Sequence, residues 1–117
     1  MSADPKIDRH LPLKPATFHI LLALGDGPRH GYAIRAAVEA LTDGAVKLWP
    51  VTLYGSIREL SDAGLIEPEA ALAGEADDAR RRYYALTPLG RRVLAAETAR
   101  LRAIVEHAER TGAVRGA

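Results

Sequence analysis

Thr52, Tyr54, Gly55, Ser56 and Arg58 lie close together in one stretch of this chain, and Arg80, Arg81 and Arg82 follow as an uninterrupted basic run. The hydroxyls of Thr52 and Ser56 can each donate or accept a hydrogen bond. The Arg58 guanidinium can fork onto the O6 and N7 of guanine, or onto a phosphate. Gly55 lets a helix come close to a partner, and Tyr54 combines an apolar ring with a phenolic tip suited to phosphate. The arginine run can reach phosphates or a narrow minor groove. These groups are suited to holding duplex nucleic acid, and none of them forms or breaks a covalent bond.

The residues needed for other chemistry are missing or scattered. The sequence has no cysteine, which excludes disulfides, thiolate metal sites and cysteine nucleophiles. Histidines stand at 10, 19, 30 and 107, with no i,i+4 pair and no carboxylate at ligand spacing, so neither a metal nor a cofactor is expected. There is no nucleophile elbow, no phosphate-cradling loop after a strand and no zincin motif, so the chain does not read as an enzyme. No apolar run is long enough to span a bilayer, and the N-terminus lacks a secretory core, so a cytoplasmic protein is expected.

A fold must position these groups, and 117 residues suffice for one domain. Residues 1–10 read as a flexible arm or a short extra helix. A buried helix is expected over residues 15–24, stopped by Gly25-Asp26-Gly27-Pro28. A second helix should run from about His30 to Leu41, with Tyr32, Ile34, Ala37, Val38 and Leu41 at helical spacing. Its free N-terminal amides would seat a phosphate, with His30 helping if protonated, although Tyr32 itself reads as core. Residues 45–49 could add a very short strand.

The third helix begins near Val51, after Pro50 and with Thr52 offering a capping hydroxyl. Leu53, Ile57, Leu60 and Leu65 form its apolar stripe, and Gly64 suits a left-handed stop. Residues 65–69 and 81–86 read as two antiparallel strands joined by ALAGEADDA. Thr87 and Pro88 mark the N-cap and first position of a last helix reaching about Arg110. Leu94, Leu101, Ile104, Val105 and Ala108 give that helix an apolar seam, interrupted by Glu97. The expected fold class is mainly α with a small β-hairpin: a winged helix-turn-helix over residues 11–86, a dimerisation helix over 87–111, and a disordered tail over 112–117.

The net charge of +1 conceals its distribution. Residues 65–79 carry Glu67, Glu69, Glu75, Asp77 and Asp78 without a base, and residues 80–92 carry only arginines. A local basic patch of this kind is what attracts phosphate. Facing acids could also neutralise it, and Arg58 could pair with Asp62 at i,i+4 instead of reaching DNA. Trp49 reads first as a core anchor and second as a contact for a flat aromatic ligand.

The segments HGYAI, PVTLYGSIRELSDAGLIE and RRRYYALTPLGRRVL, in that order, resemble the PadR family of winged-helix transcriptional regulators over about residues 12–105. The resemblance implies a homodimer joined through long C-terminal helices, with two recognition helices in successive major grooves of a pseudo-palindrome. It also implies repression of a nearby gene and release by a small aromatic or drug-like molecule. By position, Thr52, Tyr54 and Gly55 fall on the recognition helix and Arg80 to Arg82 on the wing. Lys14 and Tyr32 fall where relatives approach the DNA backbone. The chain departs from the family pattern at Val51, where many relatives have glycine, and in its short single C-terminal helix. A winged helix used only for protein contact is the alternative, supported by the acidic run.

Overall fold

Among the described residues, Asp4, His30 and Thr87 each cap a helix start with a side chain, two further helices start on Pro15 and Pro50, and the helices pack their apolar stripes around one core. The computed structural model describes residues 4–69 and 82–114. The elements, in order, are α1 (Pro5–Asp8), α2 (Pro15–Ala23), β1 (Arg29–His30), α3 (Gly31–Leu41), α4 (Pro50–Asp62), β2 (Ile66–Pro68), β3 (Tyr83–Leu86) and α5 (Pro88–Arg110). The three strands form one antiparallel sheet in the order β1-β3-β2.

Ile20, Leu21 and Leu24 from α2 and its C-cap meet Ile34 and Val38 from α3 and Leu53, Ile57 and Leu60 from α4. Leu65, Ile66, Tyr84 and Leu86 close the sheet side, and Val93 brings in α5. Removing these groups from water is the main force holding the helices together.

The junction into α5 is tightly specified. Thr87 Oγ1 accepts the Gly90 N–H at 2.9 Å and donates to the Gly64 carbonyl at 2.6 Å. Gly64 has φ +77°, the left-handed stop expected after α4. At Gly90 the chain passes so close to β2 that an added Cβ would lie 1.9 Å from the Leu65 carbonyl oxygen.

Several expectations need correcting. Of the two readings of residues 1–10, the described part takes the short extra helix and not the flexible arm: α1 packs on α5 with Ile7 buried, and Asp4 pairs with Arg92 at 3.0 Å. Residues 45–49 form no strand. The strand added to the hairpin is β1, with Arg29 opposite Tyr84 and His30 opposite Tyr83. Thr52 does not cap α4, because the N-cap position is Trp49, which makes no side-chain cap bond. Tyr32 and Leu41 are exposed at 67% and 57%, because the buried stripe of α3 is narrowed to Gly31, Ile34 and Val38. Trp49 is 61% exposed, so it is not a core anchor. Of the expected disordered tail, residues 112–114 form a turn after α5, and 115–117 lie outside the described residues.

Candidate nucleic-acid interface

Helix α4 has one face fixed and the opposite face open. Leu53, Ser56, Ile57 and Leu60 are buried. At about 100° per residue, Val51, Gly55, Arg58 and Asp62 then share the outward face, with Thr52 on one flank and Tyr54 on the other. Val51, Thr52, Gly55 and Arg58 are exposed. An added Cβ at Gly55 would meet no atom within 4 Å. Ser56 is only 9% exposed and faces the core, so it does not join the outward residues as expected. Among the described residues Arg58 makes no ion pair with Asp62, which leaves its guanidinium available.

Tyr54 is half-buried and packs between α4 and the start of α3. Its ring lies over Gly31, where an added Cβ would stand 2.9 Å from Cε1 and 3.0 Å from the hydroxyl oxygen. A side chain at 31 would push this ring aside, and the glycine lets the Tyr54 hydroxyl sit beside the α3 N-terminus. His30 caps that N-terminus: its Nδ1 accepts the Ala33 N–H at 3.0 Å, and its ring meets Tyr83 edge-on at 5.3 Å. One amide expected to be free for phosphate is thus already used. While it accepts this amide, Nδ1 cannot also donate to a phosphate.

The hairpin stands beside α4. A groove of about 310 Å³ runs between them, lined by Tyr54, Ile57, Arg58, Ser61, Pro68, Arg82 and Tyr84. Arg58 from the helix and Arg82 from the wing both border this groove, and both are exposed. Arg80 and Arg81 lie outside the described residues, as do the acids at 75, 77 and 78. On the other side of α4, Lys14 Nζ meets Glu59 Oε1 at 3.0 Å, with both side chains largely exposed. Such a pair is worth about 0–1 kcal/mol, so a phosphate can displace it.

Around Trp49 the surface is aromatic and basic. The Arg35 guanidinium lies 5.1 Å from the indole centroid, and Arg35 also approaches Glu39 at 3.5 Å. Two residues escaped the sequence reading as interface candidates: Val51, 88% exposed, and Arg35. The buried stripe Leu53, Ile57 and Leu60 already implied that Val51 points outward. Nothing in the sequence pattern pairs Arg35 with Trp49.

On α5, Leu94, Leu101 and Ala108 are half-buried, whereas Ile104 and Val105 are 52% and 56% exposed. Glu97, the apparent interruption of the seam, faces inward at 1% exposure. Its Oε2 accepts the Leu13 N–H at 2.9 Å and an Arg100 N–H at 3.1 Å. The hydrogen bond from Arg100 holds the Glu97 carboxyl below its ordinary range; the Leu13 amide and the Arg100 charge add to this, and burial opposes it. Among the described residues no three potential ligands gather as a metal site, and no helix is long and apolar enough to cross a membrane.

The sequence profile of the family described as "Transcriptional regulator PadR-like family" matches residues 20–96. An uncharacterized 37.1 kDa protein in transposon TN4556 of Streptomyces fradiae is 40% identical over 78 residues, which are 67% of this chain and 20% of that protein. The chain thus spans about a fifth of that relative's length. A transcriptional regulator from Clostridium thermocellum superposes with a TM-score of 0.67 at 26% identity, covering 80% of this chain and 89% of that one. Bacillus subtilis PadR, determined in complex with operator DNA, superposes with a TM-score of 0.60 at 21% identity, covering 73% and 47%. The architecture is that of these proteins: a mainly α winged helix-turn-helix.

Proposed function

We propose a function from one premise: the chain belongs to the transcriptional regulator PadR-like family. It is a sequence-specific binder of duplex DNA that acts in the cytoplasm as a homodimer on a pseudo-palindromic operator and represses transcription. Helix α4 enters the major groove by its first turns, and the wing follows the neighbouring backbone. The Bacillus subtilis protein of this fold is held on operator DNA, and the same partner is assigned to this chain.

The observation that carries this assignment is the pairing of Arg58 and Arg82 across one groove, beside a helix face that the core leaves open. In this arrangement Thr52 and Arg58 address base edges, and Tyr54 addresses the backbone. Arg80, Arg81 and Arg82 address phosphates, and Lys14 and Tyr32 approach the flanking strand. His30 contributes as the cap that shapes the α3 N-terminus. Leu94, Leu101, Ile104, Val105 and Ala108 form the dimer contact. Ile104 and Val105 support it best, since they leave apolar surface open on the far half of α5. A small aromatic effector, where one acts, would stack on the part of the exposed Trp49 ring that Arg35 does not cover.

Gel-shift with genomic fragments of the source organism at low salt tests the assignment. Retained fragments sharing a two-fold-symmetric motif, with half-sites about 10 bp apart or a multiple of one turn, are expected. If no fragment is retained, the chain is instead a winged-helix module for protein contact.

A further inference from the structure

We propose that Val51 is a specificity-determining residue that reads the 5-methyl group of a thymine in each half-site. This rests on the assignment of α4 as the helix that enters the major groove. Single exposed apolar residues are ordinary on protein surfaces, so the exposure of Val51 alone decides nothing. Its position does. Val51 lies in the first turn of α4, the end that approaches base edges, and it points directly away from the buried stripe of Leu53, Ile57 and Leu60.

The next residue on that face is Gly55, whose surroundings are open, so no side chain there limits how closely a duplex can approach. The two methyls of Val51 therefore project past the helix surface at its entry point. Valine does not serve the helix itself, being a poorer helix former than alanine with a stiff χ1. The only apolar group that base pairs display in the major groove is the thymine methyl. Arg58 carries no apolar tip, and Thr52, whose methyl could also meet that group, lies on the flank of α4, whereas Val51 faces directly outward.

The probe is the duplex most enriched from a randomised library by the full-length protein. Each thymine in it is replaced in turn by uracil, which removes the methyl and leaves the hydrogen-bonding edge unchanged. At one thymine per half-site the replacement should weaken binding by about fourfold, the value of one buried methyl-sized group. Val51→Gly should bind the thymine and uracil duplexes equally, and Val51→Ala should fall between. Circular dichroism melts establish that the variants fold. A consensus without thymine, or a parent protein indifferent to every uracil, would overturn the role of Val51 while leaving DNA binding in place. A library from which nothing is enriched would overturn both.

Discussion

At the scale of single residues, three glycines in this chain do three different things, and substitution separates them. Gly90 leaves no room for a side chain, because the Leu65 carbonyl occupies the space. Gly90→Ala should therefore cost at least about 2 kcal/mol, lowering the melting temperature by on the order of 10 °C in a thermal scan. Gly31 makes room for the ring of Tyr54. Gly55 has space and lies mid-helix, where alanine is the better helix former by up to ~1 kcal/mol. Gly55→Ala should thus raise the melting temperature while weakening binding in a DNA titration; unchanged DNA affinity would remove Gly55 from the interface. Arg82→Ala, or alanine at Arg80 to Arg82 together, should weaken binding to every duplex. Arg58→Ala should shift sequence preference by about 1–3 kcal/mol at one base pair.

At the scale of elements, what the sequence made legible follows from which signals are local. Gly64 and Thr87-Pro88 marked the end of α4 and the start of α5, because a left-handed stop and an N-cap depend on adjacent residues. Leu53, Ile57 and Leu60 fixed the inward face of α4 by their spacing alone. β1 was missed because two residues cannot show alternation, and it exists only by pairing with β3. Trp49 and Tyr32 were misplaced in the core because an aromatic side chain suits either environment, and tertiary packing decides which. Glu97 looked like a flaw in a seam because its partners, Leu13 and Arg100, come from an outside segment and the next helical turn. Its lowered carboxyl pKa has a definite consequence. A carboxylate held below its ordinary value stabilises the fold above that value, and the contribution is lost as pH falls from about 4.5 through the folded-state value. Glu97→Gln should therefore lower the urea midpoint at pH 7, and the gap to the parent should narrow below pH 4.5. A gap that stays constant with pH would show that the charge of Glu97 contributes nothing.

At the scale of the whole molecule, the net charge is only +1, so the proposed hold on a polyanion rests on a local field. Arg58 and Arg82 border one groove between α4 and the wing, which brings two positive charges to one place. The proposed two-fold-symmetric operator calls for a second copy, and the proposed contact uses the exposed Ile104 and Val105 on α5. Ile104→Glu with Val105→Glu should give a monomer mass by light scattering at micromolar concentration, with the helical circular dichroism signal kept and DNA affinity reduced. A parent chain that is already monomeric there would contradict the dimer. The most direct test of the central claim is a fluorescence-anisotropy titration of the full chain against its library-selected duplex and a scrambled duplex of equal length, at two salt concentrations. Recognition through α4 and the wing predicts at least about 10³-fold tighter binding to the selected duplex, with both affinities falling steeply as salt rises. Equal binding to the two duplexes, or binding indifferent to salt, would contradict it.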